Sequence, residues 1–148
     1  SGVTALARVD GGLAAASVDG DVVVVDDKGV ERWRCAVGRG LVSLSATKTA
    51  LVAASSLDHL VVVLPLDARG LPDCAAASSA RFRGPLFRAI ARDASGAGGA
   101  GAVDVYASGV EDKDLDRSEG GFRNIDSFLF ALRFTRAGGL VRRFDHPL

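Results

Sequence analysis

Short apolar runs alternate with polar turn signals along almost the whole chain, and hydrophobic residues at helical spacing are nearly absent. Residues 3–9, 13–18, 21–25 and 30–37 are four such runs, separated by Asp10-Gly11-Gly12, Asp19-Gly20 and Asp27-Lys28-Gly29. Runs this short, bounded by Gly and Asp, predict antiparallel strands rather than helices. The Asp-Gly pairs predict tight hairpins, because the favoured two-residue turns need positive φ at their centre.

The order then recurs. Residues 41–46 are apolar, Thr47-Lys48-Thr49 turns, and 50–57 repeat the character of 13–18. Leu13-Ala14-Ala15-Ala16-Ser17 matches Leu51-Val52-Ala53-Ala54-Ser55 at a shift of 38, and Val22-Val23-Val24 matches Val61-Val62-Val63 at 39. Asp67-Ala68-Arg69-Gly70 stands where Asp27-Lys28-Gly29 stood. A looser third copy runs through 85–90, 103–108, 127–134 and 140–144, with insertions expected at 93–101 and 111–125. Four strands repeating about every 40 residues is the pattern of a propeller blade. The expected fold is therefore all-β: antiparallel four-stranded blades of a partial β-propeller, at 2–39, 40–80 and 84–148. A β-sandwich or barrel built from the same strands is the alternative.

Residues 13–33, LAAASVDGDVVVVDDKGVERW, resemble a blade of the WD-repeat or quinoprotein-type (PQQ-like) propellers. In those families a small-residue strand, an Asp-Gly hairpin, a Val-rich strand, a Gly turn and a Trp follow in this order. The resemblance extends over about three blades, nearly the whole chain. No Trp-Asp dipeptide closes any repeat, and Cys74 and Phe144 are read as the counterparts of Trp33. Trp33 is expected to pack between neighbouring blades. The PQQ-like resemblance implies, as an alternative function, a quinoprotein-like enzyme or cofactor-binding propeller. The central cation and ring of cofactor-binding side chains it would need have no counterpart in the sequence, so no cofactor is expected.

Closure of a propeller removes edges and covers blade faces. Three blades leave two bare flanks, which favours association. The expected function is a non-catalytic scaffold or assembly module. Its partner is a protein: another copy, a second chain, or the rest of a longer polypeptide.

Composition narrows the classes further. With 48% hydrophobic and 24% charged residues the chain is no disordered tail. Its apolar runs fall well short of the roughly 18 residues a membrane span needs. Eighteen basic residues cancel eighteen acidic ones, so no overall field draws the chain to nucleic acid or an anionic membrane. The abundance of Ala and Gly, with few Lys among the basic residues, discounts Ala-rich stretches as helix evidence. The opening Ser1-Gly2, without Met, is expected of a processed chain or an excised segment. The compartment stays unassigned.

Candidate chemistry is sparse. Cys35 and Cys74 lack metal-knuckle spacing; buried free thiols are the expectation, with a disulfide as the alternative. Gly96-Ala97-Gly98-Gly99-Ala100-Gly101 satisfies G-x-G-x-x-G, but a strand rather than a helix is expected to follow, so a loop is preferred over a dinucleotide site. Asp112, Asp114 and Asp116 resemble the start of a calcium loop, yet Arg117 and Arg123 occupy its sixth and twelfth places. Residues 93–96 and 104–109 faintly resemble calcium loops of integrin-like propellers, giving a calcium-binding cell-surface fragment as a further alternative. Arg81, Arg83 and Arg88 alternate with Phe82 and Phe87, and Arg142 and Arg143 precede His146. These five arginines are the candidate partner-contacting residues. Ser55, Ser56, Asp58 and His59 are adjacent in sequence, which is not triad geometry; His59 is expected in a turn.

Overall fold

A computed structural model describes residues 2–94, 101–112 and 125–148, and every regular element among them is a strand. Sheet I runs β1 (Val3–Val9), β2 (Gly12–Ser17), β3 (Asp21–Asp26) and β4 (Glu31–Ala36). Sheet II runs β5 (Leu41–Ala46), β6 (Ala50–Ser55), β7 (Leu60–Pro65) and β8 (Ser78–Arg81). Sheet III runs β9 (Leu86–Asp93), β10 (Val103–Asp112), β11 (Ile125–Thr135) and β12 (Gly139–Pro147). Each is a four-stranded antiparallel meander, so the fold is all-β and blade-like. Among the described residues no helix is long and apolar enough to cross a membrane.

Local chemistry explains why the same hairpin forms repeatedly. Between β3 and β4 the Asp26 carboxylate accepts the amides of Lys28 and Val30, both at 2.9 Å, and Gly29 takes φ +78°. After β7 the Asp67 carboxylate accepts the amides of Arg69 at 2.8 Å and Leu71 at 3.1 Å, with Gly70 at φ +77°. Short Asp side chains stabilise such turns by mimicking a backbone acceptor. The change in repeat shift from 38 to 39 also has a cause. Three residues join β2 to β3 and four join β6 to β7, where His59 adopts φ 55°.

The first strand of every sheet carries an irregularity at its second residue. Register slips between Val3 and Ala5, between Leu41 and Ser43, and opposite Ser108/Gly109 between Leu86 and Arg88. That shared bulge puts the three sheets in one frame. Leu6–Ala15–Val23, Leu44–Ala53–Val62 and Ala89–Ala107–Phe130 become equivalent cross-strand rows.

Sheet II lies between the other two. One face packs Leu51, Ala53, Val62 and Leu64 against Ala14, Ala16, Val22 and Val24 of sheet I. The opposite face packs Val52, Ala54, Val61 and Val63 against Val103, Val105, Phe130 and Leu132 of sheet III. With both faces covered, β6 and β7 are buried along nearly their whole length, whereas burial alternates along β2 and β3 although all four strands are apolar in sequence. Trp33 packs on the sheet I–II core.

Two expectations are corrected. Cys35 and Cys74 are not free thiols; they form a disulfide with Cα atoms 6.3 Å apart, tying β4 of sheet I to the β7–β8 connection of sheet II. Nor does Cys74 occupy the place of Trp33. Trp33 pairs with Val24 and Ser78 pairs with Val63, so Ser78 is the structural counterpart. Cys74 lies in the long excursion between β7 and β8, whose length hid the true register. Phe144 pairs with Ala131, and it does match Trp33.

Candidate interaction surface

Strand alternation gives every sheet two faces. Sheet II has a neighbour on each. Sheets I and III each have one covered face and one facing outward.

On sheet I the outward face carries Leu6, Ala15 and Val23 in one row and Leu13 and Val25 in the next. Leu6 is 58% exposed and Leu13 38%. Their counterparts in sheet II, Leu44–Ala53–Val62 and Leu51–Leu64, pack against sheet I. On sheet III the outward row is Ile90–Tyr106–Ala131–Phe144, with Ile90 53% and Phe144 55% exposed. Its counterpart in sheet I is Ala7–Ala14–Val24–Trp33, which packs on sheet II. Each outward face therefore repeats, position for position, a face that is covered elsewhere in the same molecule.

The two outward faces differ in charge. On sheet I, Arg34 bonds both Glu31 at 2.9 Å and Asp21 at 3.1 Å, leaving that cluster net negative. On sheet III, Asp104 bonds Arg133 at 2.8 Å and has Arg92 at 3.9 Å, leaving it net positive. The Arg133 hydrogen bond holds the Asp104 carboxyl below the usual range against the opposing effect of burial, and the charge of Arg92 assists.

The five candidate arginines occupy different settings. Arg81 donates to the Asp58 carbonyl at 3.1 Å, and the Arg83 amide donates to Glu111 at 3.3 Å. Arg142 turns inward: its guanidinium lies 4.7 Å from the Phe82 ring centre and 5.0 Å from that of Phe130. It also bonds Glu111 at 3.1 Å and Asp145 at 2.7 Å. Burial opposes the charged form of Arg142, and these carboxylates outweigh it, raising its pKa. Arg143 is the extra residue of a bulge between Arg142 and Phe144. Arg88 lies exposed on the outward face of sheet III. The structure does not gather the five into one patch.

An open cleft of about 1390 Å³ lies among the turns at one end of the sheets, lined by Asp26, Thr49, Asp67, Arg92 and Asp93 among others. Three of its carboxylates, Asp26, Asp67 and Asp93, are engaged in holding turns together. Asp93 accepts from the Thr49 hydroxyl at 2.7 Å and the Lys48 amide at 3.1 Å. Burial pushes the Asp93 carboxyl up, and these donors more than reverse it. Among the described residues no group of three or more His, Cys, Asp and Glu side chains could hold a metal ion. Gly96, Gly98 and Gly99 of the glycine run, Asp114, Asp116, Arg117 and Arg123 lie outside the described residues, as does the side chain of Asp112.

Comparison with protein-family models finds no match to the chain, and comparison with curated proteins finds none either.

The apolar rows on the outward faces were not among the residues singled out by sequence. The runs at 13–18 and 21–25 are apolar at successive positions, so which residues face outward becomes readable only once the covered face is known.

Proposed function

We propose that the chain is a non-catalytic β-propeller segment that serves as a protein-interaction scaffold or assembly module, completed by a partner chain or by the rest of a longer protein. One observation carries this reading: Leu6–Ala15–Val23 of sheet I faces outward, whereas the equivalent Leu44–Ala53–Val62 of sheet II packs on its neighbour. Burying such a row contributes roughly 25 cal/mol per Å² of apolar surface removed from water, which favours a covering partner. The WD-repeat and PQQ-like resemblance supports the blade assignment, and the order of strands in each sheet agrees with it. Sedimentation velocity over a wide concentration range tests the proposal. Association that grows with concentration is the expected result; a dispersed monomer at every concentration overturns it.

A further inference from the structure

Resting on that reading, we infer that the partner is a second copy of this chain, docked head to tail, with the outward face of sheet III in one copy covering the outward face of sheet I in the other. The seams already present define the contact. Between sheets II and III, Ser43 of β5 hydrogen-bonds the backbone of Ala89 of β9. In the common frame set by the bulges, Ser43 corresponds to Arg88, and Ala89 corresponds to Leu6. Continuing the same stacking sets Arg88 of one copy against Leu6 of the next, and Ile90 against Arg8.

A second copy has what both ends need. It offers a sheet I face to sheet III and a sheet III face to sheet I, so two identical seams close a ring of six sheets. That number lies within the four to eight over which propellers close, and a head-to-tail contact that closes leaves no bare end to nucleate a fibre. The charge clusters on the two faces differ in sign: Arg34 with Asp21 and Glu31 is net negative, and Asp104 with Arg133 and Arg92 is net positive. Faces that differ in this way favour the encounter of unlike ends over like ones. The new seam differs from the internal ones at its inner strand. Arg88 and Ile90 replace Ser43 and Ser45, so guanidinium and aliphatic contacts stand where hydroxyl bridges do.

Disulfide trapping tests the geometry. Arg88→Cys and Leu6→Cys are made in separate chains, both at exposed positions, then mixed and oxidised. A parallel mixture pairs Leu6→Cys with Lys28→Cys, in the exposed β3–β4 turn. Linked dimer from the first pair, several-fold above the second, is expected; equal linkage or none overturns the inference. Sedimentation equilibrium of the unsubstituted chain gives a second readout, with a dimer expected and either monomer or open-ended polymer contradicting it. Association without the Arg88–Leu6 link would defeat the head-to-tail dimer while leaving the proposed function standing.

Discussion

The Ser43 hydroxyl donates to the Ala89 carbonyl at 3.0 Å and accepts the Ala89 amide at 3.1 Å. One side chain thus satisfies both backbone groups of a residue in the next sheet. Ser45 adds a second bridge by accepting the Ala91 amide at 3.0 Å. The inner strand β5 presents hydroxyls where β1 presents Ala5 and Ala7, so the sheet II–III seam is pinned by polar contacts as well as by packing.

Ser43→Ala is expected to destabilise the fold by about 1–3 kcal/mol, the cost of leaving buried backbone groups without a partner. Denaturant unfolding monitored by circular dichroism measures it. An unchanged midpoint would show that the hydroxyl is dispensable.

The Cys35–Cys74 disulfide closes a loop of 39 residues across the sheet I–II seam. Loop-closure entropy for that span corresponds to about 4 kcal/mol. Paired Cys35→Ala and Cys74→Ala substitutions are expected to lower unfolding free energy by an amount of that order. The same loss should follow reductant treatment of the native chain, and insensitivity to reductant would contradict a bridging role.

Gly20 takes φ +109°, and a Cβ there would meet the Gly38 carbonyl oxygen at 2.7 Å. Gly29 has φ +78° and open space around the same position. Both Gly→Ala changes incur the left-handed penalty of about 1 kcal/mol, but only Gly20→Ala adds a backbone clash. Gly20→Ala should therefore be the more destabilising of the two in thermal unfolding. Equal losses would mean that the β2–β3 turn can move away from residue 38 freely.

Asp104 contributes to the acid limb of stability. Its carboxyl is held below the ordinary Asp value, first by the Arg133 hydrogen bond. A lowered folded pKa gives stabilisation that is complete above the unfolded value, about pH 4, and lost as pH falls through the folded value. Asp104→Asn should cost about 1–2 kcal/mol at neutral pH. It should also flatten the stability profile below about pH 4; a variant whose acid profile keeps the native slope would contradict this assignment.

Much of the architecture was legible in the sequence because its determinants are local. Asp26 and Asp67 hold their turns through contacts within four residues, and such turn chemistry can be read from a string. The blade-like sheets and the packing of Trp33 followed from it. Cys35 and Cys74 were misjudged because their pairing depends on how two sheets stack, which spacing does not encode. The twelve residues of excursion before β8 displaced the match of Cys74 to Trp33 in the same way. Arg142 looked like a surface group, yet Glu111, Asp145 and two phenylalanine rings draw it inward. Neither Leu6 nor Ile90 stood out, because an exposed and a covered apolar position look alike in the sequence.

Side-chain footprinting across a concentration series tests directly whether the outward faces are the contact surfaces. As concentration rises, Leu6, Leu13, Ile90 and Phe144 are expected to become protected together, while Leu57, exposed in the β6–β7 turn, keeps its reactivity. Constant labelling of all four, or protection confined to the turns, would contradict the account.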